Sequence, residues 1–185
     1  MPETTAQNVD AIAFLSNDHR ALEELFKRIE TGSDPVALKQ YDRGTVVQRI
    51  VDELSAHAEI EEEILYPAVR QEVPDGDQLA DHAEAEHQEV KEMLERLQGM
   101  NPESSEAQDL LQELHQSLRE HFEEEEGADG LFARLRASVD HDRLQDMGTQ
   151  LAEAKTARSG IDPSASGAGD EPPPTQDAGG SMFGP

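Results

Sequence analysis

The sequence predicts an all-α protein, an antiparallel up-down-up-down four-helix bundle with a short extra C-terminal helix and a disordered tail. Three observations carry this. Apolar residues recur at three- and four-residue intervals through four long segments. Ala, Leu, Glu and Gln are abundant and aromatics make up only 4% of the chain, a composition that favours helices. Each of the four apolar stripes also carries one histidine, His19, His57, His87 and His121, which points a polar layer at the centre of one bundle.

The first helix is expected from about Val9 to Glu30, with Ile12, Leu15, His19, Leu22, Phe26 and Ile29 at helical spacing. Thr31-Gly32-Ser33 ends it, and Asp34 and Pro35 offer an N-cap and a first-turn proline to the next segment. The second helical region runs to about Glu72 and carries Ile50, Leu54, His57, Glu61, Ile64 and Leu65. Gly44 is expected to divide a leading turn from it, and Pro67 to kink or end it. After a Pro74-Asp75-Gly76 turn, a third helix spans about Gln78 to Gln98, with Leu79, Ala83, His87, Val90, Leu94 and Leu97 on one face. Asn101-Pro102 starts a fourth, striped by Leu110, Leu114, Leu118, His121 and Glu125, and Gly127 and Gly130 break the chain. A shorter helix, about Asp140 to Ala157, caps the bundle. The domain division is therefore a bundle over 8–138, an appended helix over 139–158 and a tail over 159–185. In that tail 11 of 27 residues are Gly or Pro, so it is expected to be disordered.

The formal charge of −26 argues against nucleic acid and anionic membranes as partners, because both need a positive surface and no basic cluster supplies one. With no cysteine, disulfides, thiolate zinc sites and iron–sulfur clusters are excluded. The first ten residues do not read as a signal peptide, and no apolar run reaches the roughly 20 residues of a membrane span, so a cytoplasmic location is expected. Met182-Phe183 is the tail's one candidate for docking a protein partner.

Two of the central histidines are followed four residues later by a glutamate in the same stripe, His57 by Glu61 and His121 by Glu125. At 100° per residue each pair lies about 40° apart, so both side chains reach a common point. A single histidine on an apolar face is ordinarily a hydrogen-bonded core residue. Four on four helices, two with glutamates at the same offset, would be costly to bury without a metal. Imidazole and carboxylate together suit iron, manganese or zinc, and a carboxylate can bridge two ions. Around this set, Glu86, Glu84, His82 and His115 fall outside the stripe centres and read as rim or solvated groups. Glu63 and Glu123 read as solvated face, as do Glu62, Glu124 and Glu126, with Glu62 and Glu124 able to accept from imidazole N–H groups. Tyr66 falls outside the arc and reads as structural with Pro67, and His141 as exposed.

The motifs Asn17-Asp18-His19, His57 through Pro67, Glu86-His87 and His121-Phe-Glu-Glu-Glu125-Glu, in this order and spacing, resemble hemerythrin-like (HHE cation-binding) domains over roughly Asn8 to Ser138. The resemblance implies a non-haem di-iron centre in a four-helix bundle. It makes His19, His57, His87 and His121 terminal ligands and Glu61 and Glu125 bridges between two iron ions, with manganese or zinc as substitutes. This chain departs from the oxygen carriers in two places: Ala83 stands where they have a second histidine on the third helix, and helix four has His-x-x-x-Glu rather than His-x-x-x-x-Asp. The expected function is to bind or reduce a small oxidant (hydrogen peroxide, oxygen or nitric oxide), with a catalase-like peroxide activity as the enzymatic form. The alternative is a non-catalytic iron-binding domain that senses oxygen or iron.

Overall fold

The helices are organised by two apolar clusters with a polar layer between them. In the computed structural model, which describes residues 9–31 and 43–159, all regular structure is helical: α1 (Ala11–Thr31), α2 (Arg43–Ile60), a π-turn (Glu61–Leu65), α3 (Tyr66–Glu72), α4 (Gly76–Gln98), α5 (Ser105–Glu126), α6 (Leu131–Ser138) and α7 (His141–Ser159). One cluster gathers Leu22, Phe26, Ile50, Leu54, Leu94 and Leu114; the other gathers Leu15, Ile60, Tyr66, Ala83, Phe132 and Met147. The chain passes between them in alternating directions: α1 leaves the second cluster for the first, α2 returns, α4 leaves again, and α5 packs in the first and leads to α6 in the second. Helix α1 packs on α2, α2 on α4, α4 on α5 and α5 on α1, which closes a ring.

Local sequence sets the helix starts. Asp10 Oδ1 accepts the Ala13 N–H at 2.8 Å, Ser104 Oγ the Ala107 N–H at 3.2 Å, and Asp140 Oδ1 the Arg143 N–H at 2.8 Å. Helix α5 therefore begins at Ser105, past the Asn101-Pro102 expected to open it. Gly44 lies in the first turn of α2, and the leading turn expected before it falls outside the described residues. The expected end at Thr31-Gly32-Ser33, the cap at Asp34 with Pro35, and the tail with Met182-Phe183 fall outside the described residues.

The largest departure from the expected helices lies at Pro67. Of the two outcomes expected there, a kink or an end, the helix does not end: the proline is accommodated by a widened turn just before it, in which Tyr66 N–H donates to the Glu61 carbonyl five residues back. Proline has no N–H for the ladder, and its ring crowds the carbonyl four residues earlier. A single π-turn relieves this, and the helix continues through α3 to Glu72. A second departure is α6, which the glycines at 127 and 130 hid: Leu131, Phe132 and Leu135 are all buried. The third is α7. It lies against α1 and α2 rather than across the end of the bundle, burying Leu144, Met147 and Leu151. Gly148 permits this approach, since a Cβ there would lie 2.1 Å from the Val9 carbonyl oxygen. Among the described residues no helix is long and apolar enough to cross a membrane.

Candidate metal centre

All six sequence-predicted ligand residues meet in the layer between the two clusters, each no more than 2% exposed. The pairs at four-residue spacing do what the helical geometry requires: His57 Nε2 lies 3.3 Å from Glu61 Oε2, and His121 Nε2 3.8 Å from Glu125 Oε2. Two ligand groups form around one shared residue. His19 and His57 form one group with Glu61, with His19 Nε2 3.8 Å from Oε1; His87 and His121 form the other, with His87 Nε2 3.3 Å from Oε2, the oxygen that His57 also faces. Glu125 Oε2 spans the same divide, 3.5 Å from His19 Nε2 and 3.8 Å from His121 Nε2.

This arrangement fits a cation. His19 Nε2, His57 Nε2, Glu61 Oε1 and Glu125 Oε2 are buried with no hydrogen-bond partner, a condition native interiors rarely tolerate. His87 and His121 hold their Nε2 atoms 3.2 Å apart, close to the separation of about 3 Å expected for two imidazoles each about 2.1 Å from one ion.

Every one of these histidines has its other nitrogen tied to a carboxylate. Asp18 Oδ2 accepts from His57 Nδ1 at 2.9 Å, Glu62 Oε1 from His87 at 3.1 Å, Glu86 Oε2 from His121 at 2.8 Å and Glu126 Oε1 from His19 at 2.7 Å. Each acid sits next in sequence to a candidate ligand on its own helix yet serves the histidine of the following helix in the ring. A proton held on Nδ1 leaves the inward Nε2 lone pair for a metal. Of the two acids expected to play this part, Glu62 does so, whereas Glu124 pairs at 2.9 Å with the exposed His82. Glu126, read as solvated face, turns out to hold His19.

Electrostatics in the metal-free centre are those of crowded opposite charges. Burial alone would pull His19 down, but Glu126, Glu61 and Glu125 outweigh it and raise its pKa to about 9. His87 reaches about 9 in the same way, through Glu61 and Glu62. For His57, burial wins over Glu61 and Asp18, and its pKa is lowered. The two buried carboxylates separate: burial and the charge of Glu61 push Glu125 up to about 7, while Glu61, surrounded by His57, His19 and His87, is held well below the usual carboxylate range despite its burial.

The main residue that sequence reasoning missed is Tyr66. It is fully buried, and its hydroxyl lies 3.1 Å from His87 Nε2, 3.1 Å from Glu125 Oε1 and 3.4 Å from Glu61 Oε2. Burial, with the charges of Glu61 and Glu125, raises its pKa well above 10, so it remains a neutral donor. On a regular helix Tyr66 would lie about 140° from Glu61. The five-residue hydrogen bond of the π-turn brings it back onto the same face. The only sequence signal was Pro67, which demands an adjustment in the ladder just before it. The other candidates lie around the site: Glu84 pairs with Arg70, His115 stacks on Phe26 between Glu23 and Glu30, and Glu63 pairs with Arg158 at the surface. Ala83 is buried in the same apolar cluster as Tyr66, one turn before His87.

Residues 10–135 match the hemerythrin HHE cation-binding domain. The chain belongs to this family. It is 31% identical over 141 residues to a DNA nickase of Nostoc sp., covering 75% of this chain and 37% of that protein. It is 36% identical over 114 residues to a hemerythrin-like protein of Schizosaccharomyces pombe, covering 60% and 53% respectively. The chain thus spans about a third to a half of the length of these relatives, and no solved structure matches it. It is a metal-binding helical domain with a His/Glu donor set.

Proposed function

We propose that the centre binds two ions, iron by preference, and that its function is to bind or reduce a small oxidant such as hydrogen peroxide, oxygen or nitric oxide. The observation that carries this reading is the sharing of Glu61. A carboxylate that belongs to two separate histidine groups, His19 with His57 and His87 with His121, suits two ions and is wasted on one. His19, His57, His87 and His121 are the terminal ligands in this reading, and Glu61 and Glu125 the bridges. The mixed nitrogen and oxygen donors suit iron, with manganese or zinc able to substitute. Iron bound there supplies redox change and positions at which a small oxidant exchanges with solvent.

The protein's own groups support such chemistry. Apolar clusters on both sides exclude water, and Phe122 stacks on His19 with ring centroids 3.9 Å apart. The Tyr66 hydroxyl keeps its proton and can offer it to Glu125 or Glu61 at the inner face of the centre. The nucleic-acid activity in the printed name of the Nostoc relative does not transfer readily, because a chain of net charge −26 offers little to a polyanion.

The test is anaerobic loading with ferrous iron, metal analysis, and then exposure to peroxide, oxygen and nitric oxide. Two ions per chain and consumption of peroxide by the loaded protein are expected. No more than one ion would overturn the dinuclear reading. A stable two-iron protein indifferent to all three oxidants would overturn the reactive reading in favour of a sensor or iron-binding domain.

A further inference from the structure

We propose that Lys155, on α7 and twenty residues beyond the family match, is a positioning residue for the metal centre: it fixes the Asp18 carboxylate that orients His57. The proposal rests on the reading of His57 as a ligand.

Helix α7 presents Leu144, Met147, Leu151 and Lys155 as one stripe, and Lys155 is as deeply buried as its apolar neighbours, at 6% exposure. A leucine would complete the packing at that position, so docking of α7 does not explain a lysine. Its contacts do. The ammonium donates to Asp18 Oδ2 at 2.9 Å and to the Glu53 carbonyl oxygen at 3.1 Å, and pairs with Glu53 Oε2 at 3.3 Å. Asp18 Oδ2 is also the atom that accepts from His57 Nδ1. One carboxylate oxygen therefore joins a lysine on α7 to an imidazole on α2, and the carboxylate itself sits on α1 beside His19.

Among the described residues Lys91 also meets one of the four carboxylates that hold the imidazoles, Glu62 at 2.7 Å, but the Lys91 side chain is 37% exposed. A solvated ammonium holds a carboxylate loosely, whereas a buried one anchored by a second hydrogen bond restricts it to one orientation. Partners that orient a metal-ligating imidazole typically change metal affinity by about 10–100-fold when removed.

The experiment titrates the metal-free full-length protein with Co(II), followed by visible absorption and calorimetry. Lys155→Met should weaken one of two bound ions by about 10–100-fold, the ion held by His19, His57 and Glu61, and spare the ion held by Glu61, His87 and His121. Lys155→Arg should restore most of that affinity, and Asp18→Ala should reproduce the loss. In the metal-free protein, the His57 Nδ1 proton followed by nitrogen-15 NMR should exchange faster in Lys155→Met than in the wild type. Unchanged affinities, or equal weakening of both ions, would overturn the proposal. If Lys155→Met does not fold, Asp18→Ala decides alone, and wild-type binding by that variant would overturn it. Failure of the wild type to bind Co(II) would refute the reading of the centre, while the proton-exchange comparison would still judge the lysine link.

Discussion

Replacing Tyr66 by Phe removes one oxygen atom from between two carboxylates and an imidazole, and its cost can be worked from the contacts. The hydroxyl lies within 3.1–3.4 Å of two carboxylate oxygens and one imidazole nitrogen, but it has a single proton. It can donate to only one carboxylate at a time, and a hydrogen bond to a charged group contributes about 1.5–3 kcal/mol net. The phenyl ring keeps the apolar packing, so no cavity is added. The metal-free protein should therefore lose about 2 kcal/mol, which in a domain of this size lowers the thermal midpoint by about 4–8 °C. Calorimetry and urea titration in the presence of a chelator measure this, and the slope with urea should not change. A midpoint shift below about 1 °C would refute the argument, because it would mean that the hydroxyl contributes nothing to holding Glu61, Glu125 and His87 together.

Other outcomes follow from the same geometry. Glu61→Ala or His57→Ala should abolish metal loading, whereas Glu63→Ala, whose side chain is 60% exposed and points to Arg158, should leave metal content unchanged in elemental analysis. Apparent metal affinity should rise from about pH 6 to 9, since an incoming ion must displace protons from His19 and His87, both near 9 without metal, and below about 7 from Glu125 as well. Calorimetry in buffers of different ionisation enthalpy should accordingly show proton release at neutral pH, and none would contradict those charge states. Gly148→Ala should destabilise the protein by about 1–3 kcal/mol in urea titration, because its Cβ would strike the Val9 carbonyl oxygen and push α7 from α1.

The helices and the six-residue centre were legible because both depend on the regular 3.6-residue period. His57 and Glu61, or His121 and Glu125, share a face as long as the helix is regular between them, and it is. Tyr66 was not legible because the period changes at Glu61, and one extra residue in a turn moves everything after it to a different face. Helix α6 was hidden because eight residues after two glycines show too little repetition to stand out. The docking of α7 was hidden for another reason: its stripe ends in Lys155, and a charged residue in an apolar row reads as surface until its partners on α1 and α2 are seen. The carboxylates that hold the imidazoles needed knowledge of which helices are neighbours.

That neighbour relation has a consequence for handedness. Asp18 and Glu86 precede the histidines beside them, His19 and His87, on α1 and α4; Glu62 and Glu126 follow Glu61 and Glu125, on the π-turn after α2 and on α5. One step back on a helix is a rotation of about −100°, and one step forward about +100°. The helices that step back run one way through the layer and those that step forward run the other, so all four acids swing in the same rotational sense around the bundle axis. Each therefore meets the next helix and never the previous one. Built with its helices in the opposite circular order, the same chain would keep its apolar stripes inward but turn all four acids away from the imidazoles they serve. The apolar pattern alone is nearly indifferent to that mirror choice, and the acids give the chain a reason to take one of the two.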